Sequence, residues 1–352
     1  MVEIFYTVSP DLHRMARREE GVITDLDFEI PAQSPSLWGS LYLGRVVEIQ
    51  KPLQAAFVDV GLAHPGFLSL REGKLSPVTQ GEAVLVQVNR TDNPFEGKGV
   101  RLTRLITLSL GPLLYTPFVP GLSLSKKIKD RQVFKNLFPL RPEEGLVVRY
   151  GASTHDPLLD LFLQLREEWG KVQQQLAGKP PFCITPPFTL LTRVLRSLSP
   201  SHRLMIDDRT VALLTKGRGA FCKERAFDEP CEEAWDSLFS TEIPMLQGGN
   251  LSIEETKGLV VIDVNSQGAL KHALSFNRLA IKEALRQIRL RDLGGKIVMD
   301  LIGAPQELPP LLQDLTIPTD VEIFGLSPLH LLEMIRRRRR LSLPQRLKLQ
   351  LN

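Results

Sequence analysis

Leu259-Val260-Val261-Ile262-Asp263-Val264-Asn265-Ser266 and Lys296-Ile297-Val298-Met299-Asp300-Leu301-Ile302 are two short apolar runs, each containing an aspartate near its end. The second is entered through Gly294-Gly295. Short runs rich in β-branched residues and bounded by glycine predict buried parallel strands. Between them, residues 275–292 set Phe276, Leu279, Ala280, Ala284 and Ile288 on one helical face. Strand, helix and strand predict a right-handed crossover that leaves the two strands parallel. Each aspartate then stands at the carboxyl end of its strand, where sites form in open α/β sheets. Two carboxylates at matching depth repel unless a cation lies between them. The pairing points to Mg²⁺, with Mn²⁺ as the alternative ion.

A metal held by Asp263 and Asp300 alone keeps open positions for a phosphate oxygen and an attacking water. Asn265, two residues past Asp263, projects on the same side of an extended chain and can orient that carboxylate. On the intervening helix, Lys282, Arg286 and Arg289 recur at i, i+4 and i+7, a stripe suited to a phosphodiester. Taken singly, an aspartate ending a strand is more often a turn former, and a basic stripe is usually a solvated face. It is the pairing of matched strand ends through one crossover that singles this region out.

The 352 residues are too many for one simple core and predict several subdomains. The hydrophobic content of 43% and charged content of 24% are those of a soluble folded chain. No signal peptide and no run long enough to span a bilayer is read from the sequence, so no membrane association is expected. Cys183, Cys222 and Cys231 are too widely spaced for a disulfide framework or a CxxC metal site, which suits a cytoplasmic protein. Charge is uneven. Residues 336–352 carry Arg336 to Arg340, Arg346 and Lys348 without one acidic residue, whereas the rest of the chain is slightly acidic. The run suits sequence-independent contact with phosphate backbones, the plainer alternative being a solvated end.

Residues 1–30 read as one or two strands with a short helix, and residues 31–35 break the pattern. From Gly39 to about Leu108, five or so short strands with glycine turns predict a small Greek-key barrel of the OB type. Such barrels stack single-stranded bases on aromatic rings beside cations. Phe57, Phe67 and Lys98 are the candidates, although Phe57 in its alternating strand suits a core equally well. Lys126, Lys127, Lys129 and Arg131 form a further basic cluster, and 157–176 predicts a helix. A last helix is predicted over 328–340.

The stretch Glu255-Thr256-Lys257-Gly258 leading into the first aspartate run, followed by Arg289-Leu290-Arg291-Asp292-Leu293-Gly294-Gly295 leading into the second, resembles the catalytic core of the ribonuclease E/G family. Leu53-Gln54-Ala55-Ala56-Phe57-Val58-Asp59-Val60-Gly61 with Gly66-Phe67-Leu68 looks like that family's RNA-binding barrel, and Leu331-Leu332-Glu333-Met334 is similar to its final helix. The resemblance implies a Mg²⁺-dependent endoribonuclease acting on single-stranded RNA, in ribosomal RNA processing or messenger decay. Asp263 and Asp300 match the metal ligands, and Asn265 the asparagine that positions them. Phe57, Phe67 and Lys98 match barrel RNA contacts, and Arg149 an arginine that senses a 5′-monophosphate. The implied architecture is a mixed α+β and α/β multidomain chain with four parts. An RNase-H-like subdomain (1–36 and 190–243) is interrupted by the OB barrel (37–116) and a 5′-sensor-like segment (117–189). A DNase-I-like catalytic subdomain (244–352) follows.

Three positions depart from the family. Tyr150 stands where a threonine is usual, Gly303 where a second aspartate is common, and the cysteine pair that shares a structural zinc is missing. No zinc-linked dimer is therefore expected; a monomer or a weak dimer is. The rival reading is a catalytically decayed RNA-binding or assembly factor on the same scaffold. A small-nucleotide phosphatase is a third, against which the barrel argues.

Overall fold

The computed structural model describes residues 1–351 apart from 34, 72–75, 92–98, 126–127, 129–130, 150–151, 153–156, 200, 216, 223, 246–247 and 267–272. They form two compact units. Met1–Ile30 with Leu204–Asn352 make one, and Pro31–Arg203 interrupts it in the chain as the other. The first unit opens with β1 (Val2–Val8), β2 (His13–Glu19) and β3 (Val22–Glu29), an antiparallel meander. A strand thus replaces the short helix predicted in residues 1–30. Ile23, Leu26 and Phe28 of β3 are buried, and so is the carboxylate of Asp27, which needs partners inside the fold.

The second unit contains β4 (Leu41–Gln50), β5 (Ala55–Asp59), β6 (Gly66–Ser69), β7 (Ala83–Arg90) and β8 (Arg101–Thr103). These pair in the order β4-β5-β6-β8-β7, and β7 returns to β4, which closes a five-stranded barrel of OB-like topology. A bulge between Val46 and Glu48 bends β4, so that one half pairs with β7 and the other with β5. Val46, Ala56, Val58, Leu68, Val86 and Leu102 fill the barrel. The same unit then builds a four-stranded sheet from β9 (Leu108–Leu110), β10 (Leu113–Thr116), β11 (Gly121–Leu124) and β12 (Gly145–Val148). Helices α1 (Arg131–Lys135), α2 (Leu158–Gln174) and α3 (Leu190–Ser197) accompany it, and β13 (Phe182–Thr185) pairs with β4. The helix expected over 157–176 is α2. Its Leu158, Phe162, Leu165, Trp169 and Val172 recur at helical spacing and are buried.

Back in the first unit, β14 (Arg203–Ile206) and β15 (Ala220–Phe221) extend the meander to the order β15-β14-β1-β2-β3. Asp208 and Asp228 cap α4 (Arg209–Leu214) and α5 (Glu229–Asp236) by accepting from the third backbone N–H beyond each. The quoted stretches lie in a six-stranded sheet of β16 (Glu242–Pro244), β17 (Asn250–Glu255), β18 (Leu259–Asn265), β19 (Gly295–Asp300), β20 (Val321–Leu326) and β21 (Leu332–Arg336). Its order is β16-β17-β18-β19-β21-β20, and β18–β19 is the parallel pair. The expected crossover helix is α6 (Ala273–Leu290), followed by the short α7 (Pro309–Leu312). Phe276, Ala280, Ala284 and Ile288 pack on Val260, Ile262, Ile297 and Met299. Each large side chain buried there contributes about 1.5–3 kcal/mol.

Two expectations are corrected. The paired strands are not buried on both faces: Val260, Ile262 and Val264 turn toward α6, while Val261, Asp263 and Asn265 are exposed on the other side. Nor does a helix span 328–340. Residues 332–336 alternate buried and exposed as β21, and the closing helix is α8 (Leu343–Leu351). Strand pairing with β19 and β20 overrides the helical preference of Leu, Glu and Met. Among the described residues no helix is long and apolar enough to cross a membrane.

Two members of the arginine run, Arg336 and Arg340, are drawn into an internal clamp, whereas Arg337 is exposed. Arg336 bridges Asp292 at 3.0 Å and Asp320 at 2.8 Å. Arg340 joins Asp292 at 2.7 Å to the buried Asp27 of β3 at 3.1 Å, and Arg346 of α8 also reaches Asp27 at 3.1 Å. Three arginines thus meet three aspartates. Burial alone would push the Asp292 carboxyl up, but Arg340, Arg336 and Arg346 outweigh it and hold it below the usual range. Asp292 also adopts φ +51°, which asparagine tolerates nearly as well. Asp292→Asn therefore isolates the charge, and removing it from this network should cost about 3 kcal/mol or more in urea unfolding at pH 7. Because the folded pKa is depressed, this advantage of wild type is complete above about pH 4 and fades as pH falls through the folded value. A gap between the two proteins that stays constant down to pH 2 would contradict the network's role.

Candidate active site

The parallel pairing of β18 with β19 sets Asp263 and Asp300 directly opposite one another in register. Neighbouring strands run about 4.8 Å apart. Both aspartates are exposed, whereas the residues before them, Ile262 and Met299, are buried against α6. The two carboxylates therefore stand side by side on the face of the sheet that α6 leaves open. On the same face Asn265 follows Asp263, and Ser252 and Asn250 of β17 lie opposite Asp263 and Asn265. Glu333 of β21 lies opposite Val298. Asn250 donates to Glu242 of β16.

The backbone around the pair is fixed by residues that sequence reasoning passed over. Asn277 of α6 is 1% exposed, and its side chain brackets Ile302: the amide nitrogen donates to the carbonyl at 2.9 Å and its oxygen accepts the N–H at 3.1 Å. It thereby holds the chain two residues beyond Asp300. Gly249, at φ +75°, passes so close to Asn265 that a Cβ there would sit 2.1 Å from the Asn265 carbonyl oxygen. A side chain at 249 would displace the end of β18. A polar residue on the helix face otherwise filled by apolar ones was the available signal for Asn277.

In the barrel unit, Phe57 and Phe67 are register partners whose rings meet edge to face, centroids 6.0 Å apart. Ala56, Val58 and Leu68 beside them point inward, so both rings lie on the barrel's outer surface, each partly exposed. The core alternative for Phe57 is thereby excluded. Arg101, an exposed residue of β8, sets its guanidinium 5.1 Å from the Phe67 ring centre. The sequence reading missed it, because its parallel pairing with Phe67 spans more than thirty residues. Lys98, Lys126, Lys127 and Lys129 lie outside the described residues. Arg131 opens α1, is exposed, and donates to the Ser125 carbonyl at 3.2 Å. Arg149 is an exposed residue just past β12, and Tyr150 beside it lies outside the described residues.

Of the stripe on α6, Lys282 is exposed, whereas the two arginines turn to partners within the protein. Arg286 donates to Glu283 and to the Ile23 carbonyl, and Arg289 is held by Glu19 at 2.6 Å and Asp25 at 2.7 Å. Both guanidiniums dock α6 on β2 and β3, so the expectation that they contact RNA is corrected. Arg291, 4% exposed, likewise donates to the carbonyls of Ser237 and Ser240, and burial followed by the nearby Arg286 charge brings its pKa down to about 10.

Comparison with known proteins bears on what these elements do. The ribonuclease E/G family profile matches residues 110–339, more than half of the chain. This chain belongs to the ribonuclease E/G family. Ribonuclease G of Salmonella typhimurium (strain SL1344) is 27% identical over 401 residues, which covers 97% of this chain and 80% of that protein. Ribonuclease G of Escherichia coli (strain K12) is 27% identical over 404 residues, covering 97% and 81%. Ribonuclease E of Escherichia coli (strain K12) is 29% identical over 327 residues, covering 79% of this chain and 30% of that protein. The ribonuclease E/G member described here thus spans most of a ribonuclease G but under a third of that ribonuclease E. The stretch Arg291-Asp292-Leu293-Gly294-Gly295 falls on the α6–β19 turn, where Asp292 meets the arginine clamp and Arg338 donates to the Gly294 carbonyl at 3.1 Å. Arg289→Gln should lower the urea midpoint while leaving the salt slope of RNA binding unchanged; a flatter slope would restore the arginine to a phosphate-binding role.

Proposed function

We propose that this ribonuclease E/G member is an endoribonuclease that cleaves single-stranded RNA at the Asp263–Asp300 pair. The observation that carries the reading is their register: two exposed carboxylates, one on each strand of a parallel pair, on the face opposite the packed helix. Hard oxygen donors of this kind fit Mg²⁺, which retains water ligands and needs only one or two protein carboxylates. Asp263 and Asp300 would hold the ion, which when bound supplies Lewis-acid stabilisation of charge developing on the phosphate oxygens. Asn265 orients the Asp263 carboxylate through its amide. Asn277 keeps the strand end that carries Asp300 from drifting, since misplacement by about 1 Å is costly in such sites. On the barrel, Phe57 and Phe67 offer stacking surfaces and Arg101 a cation for the backbone. The meander of β1–β3, β14 and β15 corresponds in this reading to an RNase-H-like subdomain, and the six-stranded sheet to a DNase-I-like one. Arg149 belongs to a 5′-phosphate contact.

Purified protein with an AU-rich single-stranded RNA and Mg²⁺ should yield internal cuts. Asp263→Asn with Asp300→Asn should reduce kcat by roughly three orders of magnitude, as loss of an ion site predicts, with little change in the urea midpoint. Cleavage surviving the double substitution would mean the chemistry lies elsewhere. RNA binding without turnover at any Mg²⁺ or Mn²⁺ concentration would favour an RNA-binding factor.

A further inference from the structure

Phe324 is a large aromatic residue left 64% exposed on the edge strand of the sheet that carries the aspartate pair. Its neighbours Glu322 and Ile323 keep ordinary register with Ile335 and Met334. The register then shifts between Ile323 and Gly325, so Phe324 is the extra residue of a bulge and Gly325 is the partner of Glu333. Gly325 takes φ +141°, a conformation open to glycine but strained for other residues. Bulges re-aim a side chain and are frequent beside active sites. Here the bulge turns a phenyl ring to solvent on an edge strand, where it contributes nothing to the core that Ile323 and Leu326 join. An aromatic ring exposed in this way presents a flat apolar face on which a planar group can stack.

Register locates this ring relative to the aspartates. Gly325 pairs with Glu333, and Glu333 pairs with Val298, two residues before Asp300. Two strand spacings separate β20 from β19, roughly 10 Å. The ring thus stands on the sheet of the aspartate pair, within the span of a short stretch of RNA. Glu333 is exposed between them. A carboxylate repels phosphate, so what it meets on a nucleic acid is a base edge, where it accepts from an exocyclic amino group.

We infer that Phe324 and Glu333 form a base-binding subsite beside the Asp263–Asp300 pair: the ring stacks one base near the scissile phosphate, and the carboxylate accepts from its amino group. The subsite rests on the endoribonuclease reading for its purpose but is built from different residues. It favours cytosine, adenine or guanine over uracil, which has no exocyclic amino group.

The test uses the full chain and single-stranded RNAs in which one abasic site is walked along the sequence. Cleavage is followed with Mg²⁺, and binding by fluorescence anisotropy in EDTA. Phe324→Ala should raise KM and Kd on the order of ten-fold with kcat nearly unchanged, and Phe324→Trp should restore both. One abasic position should cost wild type the same factor and cost Phe324→Ala nothing further. Glu333→Gln should narrow the preference for cytosine over uracil at that position. Identical abasic profiles for wild type and Phe324→Ala would overturn the subsite while leaving the aspartate pair standing. If wild type binds RNA but never cuts it, the nuclease reading falls and the binding profile still decides the subsite. If wild type binds no RNA, both are overturned.

Discussion

Three arginines and three aspartates, packed against one turn, tie together the unit that carries Asp263 and Asp300. Asp292 is the hinge of the arrangement. It ends the crossover helix, adopts a left-handed backbone, and receives Arg336 and Arg340 from a segment more than forty residues further along. Arg340 and Arg346 continue to Asp27 on β3, so the closing helix, the crossover turn and the N-terminal meander share one set of charges. A buried pair of this kind gives little net stability compared with an apolar filling, but breaking it leaves an uncompensated charge. The network seats the turn before β19, and β19 carries Asp300.

From that seat the rest of the site follows. The parallel pairing of β18 and β19 sets Asp300 beside Asp263, and Asn277 and Gly249 pin the ends of the two strands. The apolar side of the same strands, packed on α6, forces the alternate residues outward together. Hydrophobic burial thus supplies the alignment that brings two like charges to one level, where the proposed divalent ion would relieve their repulsion. The open face also bears Glu333, and the bulged Phe324 is exposed on the edge strand of the same sheet.

Part of this arrangement is legible in the residues alone. The crossover helix reads directly, because Phe276, Ala280, Ala284 and Ile288 keep the helical period, and α2 reads for the same reason. The barrel reads from short alternating strands between glycine turns. Misreadings cluster where periodicity was ambiguous or charge stood in for geometry. Leu332 to Arg336 holds helix-forming residues, yet two flanking strands recruit it into the sheet. Arg286, Arg289 and the run from Arg336 to Arg340 look like cations awaiting phosphate. Their carboxylate partners, Glu19, Asp25, Asp27, Asp292 and Asp320, are too scattered along the chain for spacing to announce them.

The sequence by itself determined the strand–helix–strand unit and the two aspartates at its strand ends, because local period and strand length depend on near neighbours. Tertiary structure alone decided which cations face solvent and which close a network, and which face of each strand lies open. It alone set Arg101 over Phe67 and turned Phe324 out of the sheet. Those outcomes depend on pairings between residues tens to hundreds of positions apart, and register, once chosen, dictates the side of every residue that follows.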